Sequence, residues 1–219
     1  MFKQIRFFIS VSLILVITLT SFSFAEISAN NTSESYIVGY SESKKNNIFG
    51  SATDDQISEI LSENITKLRE ANENGTLDTE IKLIQDKGLF CIINGTHTKT
   101  NEINIAENEI NLFDVGDRFV KDSIVYLVEL HFMDNGWQKG EYETTIEGTY
   151  NSYNSTSRIT RTNTKKTGRF PYVHINGGVH DERIYGNRAT IYFKAFDLVG
   201  ASMNTIDLLL TSNGYLYVS

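Results

Sequence analysis

The sequence predicts an α+β fold: an N-terminal helix, or a helix pair, packed on a mainly antiparallel sheet, an open β-barrel or a sandwich. Three observations predict it. Apolar residues recur at helical spacing only in the N-terminal third. From Leu89 onward they alternate, or run in short stretches divided by turn residues. No strand–helix–strand alternation of the kind that builds a parallel sheet is present. One proline in 219 residues leaves almost every strand free to pair.

The chain opens MFKQIRFFISVSLILVITLTSFSFAEISA. Lys3 and Arg6 precede an apolar run from Phe7 to Leu19, and Ser23-Phe24-Ala25 places small residues before a possible cut. This is the pattern of a secretory signal peptide over residues 1–25, with Ala29 as a second possible end. The apolar run is short for a span of about 20 residues, so cleavage is preferred to anchoring. No later stretch is apolar enough to span a bilayer. The expected product is secreted, extracellular or wall-associated, with no transmembrane anchor. Six Asn-x-Ser/Thr triplets, at Asn30, Asn31, Asn64, Asn74, Asn94 and Asn154, are glycosylation acceptors if the host modifies exported chains.

Residues 26–50 are rich in Ser, Asn and Lys around YIVGY and read as a flexible leader with one short strand. Residues 51–219 read as a single domain, helical over 51–88 and β-rich over 89–219. Thr53 can cap a helix with Gln56 three residues on. Asp54 and Asp55 fall where the helix dipole favours negative charge. Ile57, Ile60, Leu61, Ile65 and Leu68 form one stripe, and Gly75 ends it. A shorter helix is expected from about Asp78 to Lys87, stopping at Gly88. LFCII–Asn94-Gly95–THTKT reads as a hairpin, because Asn-Gly accepts the positive φ angles of a tight turn. NEINI and EINLF alternate. In SIVYLVELHFM, Tyr126, Val128, Leu130 and Phe132 share an apolar face. Val125, Leu127, Glu129 and His131 share a face that fades to polar, as a central strand would. EYETTIEGTYNSY and STSRITRTNTKK read as long polar strands, and RATIYFKAFDL and IDLLLT-SNG-YLYVS close the chain.

The net charge is -7, and it becomes -9 once Lys3 and Arg6 leave with residues 1–25 (-7 - 2). That balance argues against nucleic acid as a partner. The single Cys91 cannot form an internal disulfide, and within LFCII it reads as a small buried hydrophobe. No cofactor or metal is expected: there is no phosphate-binding loop, EF-hand or HExxH.

Two of the four histidines lie in FPYVHINGGVHDERIYG, residues 170–186. His174, His180 and Asp181 match no metal-ligand spacing, and Asn176-Gly177-Gly178 is turn chemistry. The reading is a surface loop whose Tyr172, His174, His180 and Asp181 contribute to recognition. A secreted hydrolase built on this loop, or on His131 beside Asp134, is the alternative. Glu107/Glu109 and Glu141/Glu143 are two residues apart on strands and read as solvated faces. Within 141–169 the second half carries Arg158, Arg161, Lys165, Lys166 and Arg169 without an acid. This ribbon could dock an anionic envelope polymer. A membrane-inserting toxin hairpin is the third reading, with only Tyr142, Ile146, Tyr150 and Ile159 available to face lipid. Without either role it is an exposed ribbon whose charges discourage edge pairing. Trp137, the one tryptophan, could form a platform for a sugar or partner, or plug the end of the sheet. The functional expectation is a non-catalytic binding protein acting on an anionic polymer, a carbohydrate or a protein.

Overall fold

A computed structural model describes residues 35–94, 96–97, 101–103, 116–132, 136–171, 181–196 and 201–218. The expected leader peptide, both its cut sites and EINLF lie outside these residues. Three helices pack on two antiparallel sheets that do not close into a barrel, as the α+β expectation requires. The first sheet has the order β3-β2-β1-β5-β6-β7. Its strands are β1 (Ser35–Ser41), β2 (Phe90–Ile93), β3 (Thr96–His97), β5 (Arg118–Phe132), β6 (Gly136–Asn151) and β7 (Thr156–Pro171). The second has the order β4-β11-β10-β9-β8. It comprises β4 (Asn101–Ile103), β8 (Asp181–Tyr185), β9 (Arg188–Phe196), β10 (Ala201–Leu210) and β11 (Leu216–Val218). The helices are α1 (Lys45–Phe49), α2 (Asp54–Glu73) and α3 (Leu77–Asp86).

The stripe on α2 is buried as its spacing requires. Ile57, Leu61, Ile65 and Leu68 are all within a few per cent of full burial, and only Ile60 is partly open. They pack with Ile81 and Ile84 of α3 on Tyr36, Val38, Cys91, Ile93 and Leu127 of the first sheet. Each such aliphatic side chain contributes roughly 1.5–3 kcal/mol on burial. The capping box forms: Gln56 N–H donates to Thr53 Oγ1 at 3.4 Å, and Thr53 N–H donates to Gln56 Oε1 at 2.8 Å. Gly75 leaves the helix at φ +70°, a conformation glycine adopts without strain.

The opposite face of the first sheet meets the second. Tyr126, Val128, Leu130, Tyr142 and Ile146 share a core with Ile191, Ile206, Leu208 and Leu210. Within this core, Tyr126 Oη, Thr144 Oγ1 and Thr164 Oγ1 form a buried hydrogen-bonded chain, at 2.9 and 2.7 Å. β5 lies between β1 and β6, so SIVYLVELHFM is the central strand its two faces predict.

Three expectations are corrected. The short strand expected at YIVGY is β1, but it is no part of a leader: every residue of it is buried, between β2 and β5, and α1 follows. The 141–169 ribbon is not solvent-facing throughout. Tyr142, Ile146, Tyr150 and Ile159 are all at most 6% exposed and lie in the core between the sheets. Finally, DERIY is not loop. It is strand β8, joined to β9 through Gly186-Asn187, with Tyr185 opposite Arg188.

Candidate binding face

The outer face of β5 and β6 is divided in two. At one end α2 covers it. Here α2 turns a polar stripe toward the sheet beside its apolar one. Ser58 Oγ donates a short hydrogen bond to Glu141, which also accepts from Thr167 Oγ1 at 3.2 Å. Lys139 Nζ donates to Ser62 Oγ at 2.7 Å. Arg69 holds Glu129 Oε2 at 2.9 Å, and Lys139 lies 3.3 Å from Glu129 Oε1. The Glu129 side chain is 0% exposed. A carboxylate so deeply buried is stable only because two cations flank it.

Trp137 belongs to this covered end. The Arg69 guanidinium sits 4.7 Å from its ring centroid, Tyr36 packs at 5.7 Å and His131 at 4.7 Å. The tryptophan is therefore the plug of the sheet end, with three neighbours already on it. His131 packs against this indole with the two rings tilted by 54°. Asp134, the acid proposed beside it, lies outside the described residues. Among the described residues no group of three or more His, Cys, Asp or Glu could hold a metal ion. Glu141 is buried on Ser58 and Thr167, and Glu143 is paired with Lys165 at 2.9 Å, so neither is the simple solvated carboxylate expected.

At the other end α2 has ended its cover and the sheet lies open. The register stacks four rungs across β5, β6 and β7: Phe119–Thr149–Arg158, Lys121–Glu147–Arg161, Ser123–Thr145–Asn163 and Val125–Glu143–Lys165. The β7 members are all exposed, as are Lys121 and Phe119, the latter at 63%. Lys121 Nζ meets Glu147 Oε1 at 2.9 Å, and Ser123 Oγ meets Thr145 Oγ1 at 2.9 Å. The Lys121 ammonium beside Glu147 holds that carboxyl below the usual carboxylate range. The result is an open, hydroxyl- and charge-bearing surface three strands wide.

Arg158 and Arg161 come together on this face for a reason that strand periodicity alone does not supply. Residues three apart on a regular strand point to opposite faces. Here the pairing shifts between Glu147 and Gly148, so that Thr160 is extra and both arginines oppose outward residues of β6. Thr160 Oγ1 donates to Glu147 O at 3.1 Å and fixes the bulge. Gly148 is required beside it, since a Cβ there would lie 2.6 Å from Arg158 O and 2.8 Å from Leu210 Cδ2.

Of the residues singled out in the sequence, Arg158 and Arg161 share this face, and Trp137 does not. Asp181 opens β8, where Arg183 holds it at 3.1 Å. Tyr172, His174 and His180 lie outside the described residues. Lys121 and Phe119 were missed. Their signal was present, because RFVKDSIVY already alternates from Arg118 onward. Fold and surface together define a helix-capped pair of antiparallel sheets that leaves half of one sheet face open. No protein-family model, curated protein or solved structure matches the chain.

Proposed function

We propose that this is an exported, non-catalytic binding protein of the cell envelope or extracellular medium, and that the open end of β5–β6–β7 is its working surface. The observation that carries the reading is the division of one sheet face. The half under α2 is filled by packed and ion-paired side chains, whereas the half bearing Phe119, Lys121, Arg158, Arg161 and Lys165 is exposed. An open three-strand surface offers many weak polar contacts to an extended partner. The N-terminal pattern of residues 1–25 supports export. His131 packed against Trp137 gives the hydrolase reading no support. Membrane insertion of the 141–169 hairpin would require Tyr142, Ile146, Tyr150 and Ile159 to leave the core.

The test is cosedimentation of the purified protein with isolated, protein-free cell walls and with an insoluble neutral glycan, alongside intact-mass analysis of the protein from culture medium. The reading expects a mass lacking the first 25 to 29 residues and depletion of the supernatant by envelope material. Retention of residues 1–25 on a membrane-held product, or no depletion by any envelope fraction, refutes it.

A further inference from the structure

The partner of the open face has a chemistry that the arrangement of its charges defines. The cations lie on the outer strands and the acids on the middle one. Arg158, Arg161 and Lys165 form a row along β7, the last strand of its sheet, with Lys121 on β5. Glu143 and Glu147 sit on β6 between them, each tied to a lysine. The face therefore carries four cations and two acids, +2 in total, on a chain whose net charge is -7. The remainder of the molecule accordingly carries -9 (-7 - 2). Among the described residues Lys121 and Lys165 hold the close ion pairs of this face, and Arg161, opposite Glu147, adds its charge to the Lys121 ammonium in lowering that carboxyl.

The spacing follows from strand geometry. Arg158 and Arg161 are one outward step apart, about 7 Å, and Lys165 lies two further steps on, about 13 Å. The row is thus about 20 Å long and open on its outer face, while the far edge of β7 meets the β8–β9 hairpin, where Ile159 N–H donates to Gly186 O at 2.9 Å and Thr162 Oγ1 donates to Glu182 Oε2 at 2.5 Å. We propose that it seats a linear polyanion bearing repeated oxyanion groups, phosphate or carboxylate, with the polymer running along β7. The two arginines take oxyanions in their planar donor forks. Phe119 and the hydroxyls of Thr149 and Thr160 border the same track. A planar anionic membrane fits less well, because it would press on Glu143 and Glu147 together with the cations. A chain following the edge strand avoids them. This inference rests on the binding-protein reading above and specifies its ligand class.

The experiment measures binding of the purified protein to long-chain inorganic polyphosphate, to polygalacturonate and to neutral dextran, at two salt concentrations. Vesicles of phosphatidylglycerol and phosphatidylcholine form a separate arm. Binding to either polyanion, weakening as salt rises, and none to dextran is the expected result. Which polyanion binds more tightly identifies the oxyanion. The Arg158→Glu/Arg161→Glu pair, and its milder counterpart Arg158→Gln/Arg161→Gln, lower affinity at least about tenfold. A control of equal charge change elsewhere, Lys67→Glu/Lys82→Glu on the exposed sides of α2 and α3, leaves it within about threefold. Circular dichroism confirms that each variant keeps its fold. Equal loss in the control pair, unchanged binding in both arginine variants, equal binding to dextran, or binding to vesicles alone overturns the proposal. Failure on every polyanion with retained cosedimentation on cell walls overturns the ligand class and leaves the binding reading standing.

Discussion

At the scale of single residues, the molecule depends on a few positions where one side chain has no substitute. Gly39 in β1 is one. A Cβ there would come within 2.5 Å of Phe90 Cζ and of Val125 O, and 2.6 Å of Tyr126 Cβ. Two of those three neighbours are ring or strand atoms of the central core, and one is backbone. Gly39→Ala is expected to destabilise the protein by about 1–3 kcal/mol through overpacking, read as a lower urea midpoint at unchanged slope. Arg69 is another. It packs on Trp137 and neutralises Glu129, whose side chain is fully buried. Arg69→Ala leaves that carboxylate with Lys139 alone, and a loss of about 3 kcal/mol is expected. Glu129→Gln in the same background should recover part of it, because the buried charge is gone. A double-mutant cycle on these two positions measures the coupling, and additivity would show that the ion pair contributes nothing.

At the scale of elements, legibility tracked how local the signal was. The capping box at Thr53 and Gln56, the stripe on α2 and the Asn94-Gly95 turn each lie within a few residues of sequence, and each was readable. Asn94 does adopt φ +50°, and Ile93 faces Thr96 across the turn. The polar stripe Ser58, Ser62 and Arg69 was not readable as buried, because its partners Glu141, Lys139 and Glu129 lie 83, 77 and 60 residues away. The bulge at Thr160 was not readable either, since β7 carries no glycine or turn residue there and the Gly148 that accommodates it lies on the neighbouring strand. The β8–β9 hairpin had a visible signal in Gly186-Asn187, but the neighbouring histidines drew the interpretation toward a loop. The two kinds of contact on α2 give a prediction at this scale. Thr53→Ala removes a solvent-exposed cap and is expected to cost about 1 kcal/mol. Leu61→Ala empties a fully buried site and is expected to cost about 3 kcal/mol. If thermal or urea unfolding shows the cap to matter more than the leucine, α2 is held to the sheet by its end rather than by its stripe.

At the scale of the whole molecule, the core between the sheets is unusual in its hydroxyl content, and that makes the fold sensitive to alkali. Burial pushes the hydroxyls of Tyr126 and Tyr142 above the ordinary tyrosine range. Burial, followed by the nearby Glu42 and Glu141 carboxylates, does the same to Tyr40. A tyrosine raised in the folded state contributes stability that is complete below its unfolded value, near pH 10. That contribution is lost as pH rises toward the folded value. The expected outcome is two-phase ionisation at 295 nm. Tyr40, Tyr126 and Tyr142 ionise only with cooperative loss of the near-ultraviolet dichroism. A single smooth titration of all eleven tyrosines would contradict the packing described.

The position of β1 has a consequence for how the protein comes into being. The first strand among the described residues lies in the middle of its sheet, hydrogen-bonded to segments that begin about 50 and 80 residues later along the chain. Neither partner is chain-adjacent, so a nascent segment ending before Phe132 has no complete sheet to join, and contact order is high. The pairing of β1 on both of its edges is complete only once β5 has emerged. Under the export proposed above, such late assembly would keep the chain thin until its passage through a translocation channel is over.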